Sequence, residues 1–359
     1  LSDGKRSLGK PRALMNEKAV WRTTVLLVLA FVGAGPACSE NHASGAGHEP
    51  FTSSRVWHHV TVGVEDLDKA VALWSGVMGL EVRERSEGPD PGLAELWGID
   101  ADDIHSQAMV GTPGARNGYI HLVQFIDPDP PVRKGAEVYD RLPKNLDVFV
   151  EDLPARFAEL KAQGAQFRTD TYSEVRTPSG SMFREIHMHG HDATNIVFVE
   201  TGNGDRAYSG NGYSAVTQLI NIVGSAEEEQ AFFVDVMGMA LRSQNVLGGP
   251  EVEKMVGLPP GTSLDIRIVG EKGASFGMVE VVDYLGIEGA DRYALARPKA
   301  LGTLHVTYLV DDLELLKSKL EDDGKAFEAF ARVETLFGTG PAIAFHAPSG
   351  LRIEAHERN

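Results

Sequence analysis

The chain has 359 residues, with 34 Lys+Arg against 51 Asp+Glu, a net charge of −17 and 42% apolar residues, enough for about two domains with cores of their own. That acidity argues against nucleic acid as the main partner, because a phosphate backbone is met by a Lys/Arg footprint. A lone cysteine excludes an intrachain disulfide framework and a cysteine-based zinc cluster, and a single apolar run of about ten residues excludes a polytopic membrane protein.

That run, Val25 to Ala34, is preceded by Lys18 and Arg22 and followed by small residues. It has the dimensions of a signal-peptide core. Residues 1–37 are therefore expected to be a signal segment, with Met15 as its start. Cys38, at the end of the segment, resembles the lipidated cysteine of bacterial lipoproteins, although Gly35-Pro36-Ala37 stands where Leu-Ala-Gly is usual. Residues 38–54 read as a flexible, Gly-rich tether. The expectation is a protein of the bacterial cell envelope, lipid-anchored on the periplasmic side of the outer membrane and touching membrane only through its lipid. Secretion to the periplasm is the alternative.

Downstream, one pattern recurs four times. Val60–Val64 alternates like a strand, Asp66 stands as a helix cap, and Leu67, Ala70, Val71, Trp74 and Met78 fall at helical spacing before Gly79 ends the helix. Leu146–Val150 leads likewise to Asp152 and Gly164, Leu219–Val223 to Ser225 and Gly238, and Val306–Val310 to Asp312 and Gly324. Shorter β-like runs follow each helix, among them 118–125, 195–200, 276–282 and 343–355. The unit is a βαβββ module, and the chain is α+β with four of them. The Gly/Asn-rich stretch 201–212 reads as a linker that divides the modules into two domains, 55–200 and 213–359.

Trp57-His-His-Val-Thr-Val-Gly-Val-Glu-Asp-Leu67, Val77-Met-Gly-Leu80 and Ala347-Pro-Ser-Gly-Leu-Arg-Ile-Glu354 resemble segments of the vicinal oxygen chelate superfamily. That superfamily includes glyoxalase I, extradiol dioxygenases, methylmalonyl-CoA epimerase and bleomycin-resistance proteins. The resemblance covers essentially 56–357. It implies that modules pair into curled sheets that cup a divalent metal, with one ligand from the first strand of each module and one from its last.

Counting seven residues back from each helix cap puts the first-strand positions at His59, Asn145, Gln218 and His305. Period-2 alternation turns them away from the helices, into the cup. Matching the closing strands gives His121, Val197, Glu280 and Glu354. If modules one and two pair, and three and four, as the linker suggests, Gln218, Glu280, His305 and Glu354 form one set. Their residue types are those of a glyoxalase I site, for one divalent ion such as Zn, Ni, Co, Fe or Mn. The N-terminal domain would then be degenerate. If instead modules one and four pair, His59, His121, His305 and Glu354 come together. Arg352, Met278 and His356 share the cup face by alternation and are expected to line the substrate pocket. His58 is expected on the helix side, and His187, His189 and His191 on one exposed strand face.

By resemblance, Glu354 is the leading catalytic base, with Glu280 as ligand or second base, in a lyase or isomerase that moves a proton beside a metal-polarised carbonyl or enediolate. An extradiol dioxygenase, with two histidines and a carboxylate on iron, is an alternative that requires modules one and four to pair. A non-catalytic envelope protein binding a small molecule in the same cup is another. The partner in every case is a small molecule.

Overall fold

The computed structural model describes residues 55–176, 182–202 and 207–358. The signal segment, the tether and Cys38 lie outside the described residues. Among the described residues, no helix is long and apolar enough to cross a membrane.

Each module follows the expected grammar. Module one runs β1 (His59–Val64), α1 (Leu67–Val71, continuing as a π-helical turn over Ala72–Val77), β2 (Glu81–Glu87), α2 (Pro91–Trp97), β3 (Ile104–Gly111) and β4 (Tyr119–Phe125). Module two runs β5 (Pro143–Val150), α3 (Leu153–Ala162), β6 (Gln166–Phe167), β7 (Ser173–Arg176), β8 (Met182–His189) and β9 (Asn195–Thr201). Module three runs β10 (Tyr213–Val223), α4 (Ala226–Ala231, continuing as a π-helical turn over Phe232–Val236), β11 (Ala240–Gly248), α5 (Pro250–Val256), β12 (Ser263–Gly270) and β13 (Met278–Leu285). Module four runs β14 (Gly302–Val310), α6 (Leu313–Asp322), β15 (Phe327–Thr335), β16 (Gly338–His346) and β17 (Arg352–Glu357).

The four predicted caps close their helices in the same way. Asp66, Asp152, Ser225 and Asp312 each accept a hydrogen bond from the backbone N–H three residues on, at 2.8–3.2 Å. This satisfies one of the donors that every helix start leaves without a partner. Gly79, Gly164, Gly238 and Gly324 follow these helices with φ of 68–90°, where a side chain would be strained.

The strands form two sheets, in the orders β15-β16-β17-β14-β1-β4-β3-β2 and β11-β12-β13-β10-β5-β9-β8-β6, with β7 against β8. Module one therefore pairs with module four, and module two with module three. This corrects the pairing expected from the linker, and each of the halves 55–200 and 213–359 gives one module to each sheet. The seams are set by side chains. Buried Val60 lies opposite Val306, and buried Leu146 opposite Leu219. A glycine-rich connection needs only to be long enough, so 201–212 favours neither arrangement.

Alternation then separates two faces on each sheet. Val60, Val62, Ile120, Leu122, Val306, Ile353 and Ala355 enter one core with α1 and α6, and Leu146, Val148, Ile196, Leu219, Val279 and Val281 enter the same core. The opposite faces are the cups. A smaller apolar cluster with Leu93, Leu96 and Trp97 of α2 floors the first, and one with Met255 and Val256 of α5 floors the second.

Candidate metal centre in the first cup

The seam between β1 and β14 brings the histidines together. Thr61 is paired with His305 on one side and with His121 on the other, and Thr307 lies between His59 and Glu354. His59, His121, His305 and Glu354 are thereby gathered on one face, each at most 1% exposed. The rings of His59 and His121 are 5.2 Å apart, and His305 Nε2 lies 3.4 Å from Glu354 Oε1. His356, buried on the same face of β17, joins them.

The other predicted set is not assembled. Gln218 and Glu280 stand on β10 and β13 of the second sheet, apart from His305 and Glu354. Glu280 is thus neither a ligand nor a second base beside Glu354. Met278 is also in the second sheet, so of the three expected lining residues only Arg352 and His356 reach the first cup. His59 and His121, assigned to a degenerate half, belong to the assembled cluster. His58 also departs from its expected side: its Nδ1 is 2.9 Å from His59 Nδ1 and its ring is 5.9 Å from Phe337, at the edge of the cluster. His187 is buried in the second cup, His189 is exposed, and His191 lies beyond the strand, where Trp74 Nε1 donates to its Nε2 at 2.9 Å.

Three residues outside the repeated pattern complete the cup. Trp97, at the end of α2, donates from Nε1 to Glu354 Oε1 at 2.9 Å and lies 5.6 Å from the His305 ring. Gln107 on β3 meets His121 Nε2 through its Oε1 at 2.7 Å, while its Nε2 donates to Asp90 Oδ2 at 2.6 Å. With Gln107 Oε1 as acceptor, His121 carries its proton on Nε2 and presents a bare Nδ1. Phe337, in the turn between β15 and β16, lies 4.5 Å from His59, 5.0 Å from His356 and 6.2 Å from His121, centroid to centroid. Its hairpin is held close to α2, where a Cβ on Gly92 would collide with the Glu334 carbonyl. An open cleft of about 540 Å³ between this hairpin and α2, lined by Asp90, Glu95, Arg332 and Glu334, does not include the histidines.

The electrostatics suit ligation. Burial, then His305, lowers His121 to about 3, and burial with His356 lowers His58 to about 3. Burial lowers His356 to about 4 and takes His59 well below the ordinary range. These rings are neutral at physiological pH, the form that binds metal. Burial alone would raise the Glu354 carboxyl, but His305, Arg352 and His356 outweigh it and hold it well below the usual carboxylate range. Arg352 Nε donates to Glu354 Oε1 at 3.0 Å.

Among the described residues, no three His, Cys, Asp or Glu side chains already converge as an ion would require. The donor chemistry nevertheless fits one. His121 Nδ1, His305 Nδ1, His356 Nε2 and the hydroxyls of Thr61, Thr303 and Thr307 are buried with no hydrogen-bond partner. Buried polar atoms left in this state are costly, and such a concentration on one face marks a place built for something else to bind.

Residues 58–181 match the model of the Glyoxalase/Bleomycin resistance protein/Dioxygenase superfamily. No curated protein sequence matches the chain. Among solved structures, glyoxalase I from Zea mays superposes with a TM-score of 0.57 at 13% identity, over 84% of this chain and 92% of that one. A point mutant of the same maize enzyme gives 0.57 at 14% identity, over 85% and 94%. A putative dioxygenase from Bacillus subtilis gives 0.53 at 13% identity, over 84% and 85%. The resemblance seen in the sequence is thus found again: 58–181 match the model of that superfamily, and the described chain shares the two-sheet α+β fold of these solved structures.

Proposed function

We propose that the chain is a divalent-metal-dependent enzyme acting on a small molecule with two adjacent oxygens, and that its chemistry is of the dioxygenase type rather than the isomerase type. The observation that carries this reading is the donor set, in which several neutral imidazoles surround a single ionised carboxylate. His121, His305 and Glu354 would hold the ion, with His59 as a further ligand. Two histidines and one carboxylate suit iron or manganese and leave positions open. Bound there, the ion would polarise an oxygen pair and stabilise negative charge on it.

The chain's own residues have separable tasks. Trp97 and Arg352 fix the Glu354 carboxylate as an anion. A proton-moving base works best with a pKa near the operating pH, so Glu354 is better suited to ligation than to the isomerase's proton transfer. Gln107 and Asp90 orient His121. Phe337 and Trp97 keep water from the centre.

The test is metal content and turnover of the mature chain, purified without a His tag and reconstituted anaerobically with iron, manganese or zinc. The expected result is about one ion per chain, lost in His305→Ala and Glu354→Ala, with oxygen uptake on a catechol panel. No metal bound at micromolar supply would overturn the reading. Metal with proton exchange on a 2-oxoaldehyde adduct, and no oxygen uptake, would return it to the isomerase. The envelope placement belongs to the same proposal, and loss of palmitate labelling in Cys38→Ala tests it.

A further inference from the structure

The second cup buries a different kind of chemistry. Lys144, on β5, is 1% exposed, and its Nζ meets a phenol rather than a carboxylate, Tyr284 Oη at 2.6 Å. Burial, then the Arg133 and Arg168 guanidiniums, holds its ammonium well below the usual lysine range against the pull of Glu185 and Asp147. That shift favours the free amine, whose lone pair a nucleophile requires. Two donors beside it lack partners, because Arg133 Nη1 and Arg168 Nε are buried with nothing to bond. Both guanidiniums lie near enough to bear on the charge of Tyr284 as well as of Lys144. Glu280 completes the group. Burial, then Glu185, pushes its carboxyl up to about 8, so it holds a proton.

We propose that the second cup is a covalent site for a small 2-oxo acid, with Lys144 Nζ bonding to the keto carbon and Arg133 and Arg168 taking the carboxylate. The amine lone pair attacks the carbonyl carbon and forms the C–N bond. The C=O π pair moves onto oxygen, which gains the proton that nitrogen loses, giving a carbinolamine. Glu280 then gives a proton to the hydroxyl, water leaves, and nitrogen closes the C=N bond as an iminium. One proton is consumed, one water is released, and no oxidant is needed. The site is independent of any metal in the first cup.

The probe is pyruvate with sodium cyanoborohydride at pH 7 on the full, metal-free chain, with propanal as the uncharged control and adducts mapped by peptide mass spectrometry. Pyruvate adducts are expected on Lys144 at roughly tenfold or more the level of any other lysine, since an ordinary lysine is almost wholly protonated there. Lys144→Arg should abolish them. Arg168→Met should lower pyruvate labelling of Lys144 by more than it lowers propanal labelling, since the guanidinium also helps to hold the amine free. If Lys144→Arg does not fold, Arg168→Met and the wild-type ratio of the two probes decide the matter. Adducts spread over surface lysines without an excess at Lys144 would overturn the proposal. So would a pyruvate preference at Lys144 that survives Arg168→Met unchanged.

Discussion

The two cups come from the same module, yet equivalent positions carry different chemistry. Where the first cup has His59, His121, His305 and Glu354, the second has Asn145, Val197, Gln218 and Glu280. In the first cup burial keeps His59, His121 and His356 neutral beside one carboxylate held as an anion. In the second, burial raises the carboxyls of Asp147 and Glu280, helped by Glu280 at Asp147 and by Glu185 at both, and burial lowers the ammonium of Lys144. Asn195 Nδ2 donates to Asn145 Oδ1 at 2.5 Å and contacts His187 Nδ1 at 3.2 Å, and His187 Nε2 lies 2.9 Å from Glu185 Oε1, so that cup's histidine is already engaged at both nitrogens. The scaffold fixes where a cup is, and a few side chains decide what it can hold.

The largest effect expected from this contrast is on metal affinity. His305→Ala and Glu354→Ala should weaken binding by more than ~100-fold, beyond the cost of losing an outer-shell partner. Gln218→Ala and Glu280→Gln should leave it unchanged. Competition against a chelating dye measures both, and the reverse pattern would exchange the roles of the cups.

Gln107→Leu should cost roughly 10–100-fold in metal affinity by freeing the His121 ring. Gln107→Glu, which keeps an acceptor at the same place, should restore most of it. Equal losses in both variants would mean that Gln107 only packs.

A third test concerns the tie between the cups. Glu229 on α4, 1% exposed, accepts hydrogen bonds from Asn221 Nδ2 and from Ser349 in the loop before β17. Burial pushes its carboxyl up to about 7. The folded state then holds a proton that the unfolded chain has released, so stability should fall as pH rises from about 4.5 to about 7, by about 3 kcal/mol at most. Denaturant melts of Glu229→Gln should show a flatter profile across that window. An unchanged slope would remove Glu229 from the account.

The smallest effects test how alike the modules are. Replacing Asp66, Asp152, Ser225 or Asp312 by Ala should each cost about 1 kcal/mol, because each makes the same capping bond, and the exposed Lys69 pair of Asp66 adds little. Thermal melts showing one cap worth several times another would mean that the modules do not share stability evenly.

The sequence shows the local grammar and conceals the long-range choice. Caps, glycine stops and strand alternation each involve neighbours within a few residues, so the first-strand positions and the face of His305 and Glu354 were readable. Pairing is a contest between apolar seams far apart in the chain, and the one local clue, the linker, bears on neither outcome. The inserted helices were missed for a different reason. Asp90-Pro91 and Gly98 do mark the ends of α2, with Asp90 capping Leu93 N–H at 3.0 Å, but the segment is short and lies outside the repeat. Trp97 was hidden with it. Phe337 and Gln107 could not be assigned, because a hairpin tip and a neutral amide announce no chemistry until the histidines they touch are in place.

The nesting of module pairs also orders assembly in time. The second sheet joins adjacent modules, so β5 can find β10 as soon as that segment is made. In the first sheet β1 must wait for β14, more than two hundred residues later, since His59 pairs with Thr307. At ordinary synthesis rates that wait is on the order of tens of seconds, and closing so long a loop slows the search further. The second cup is thus the early product and the histidine cup the late one. A chain cut short before β14 would keep the seam of the second cup and lose the half of the first that carries His305 and Glu354.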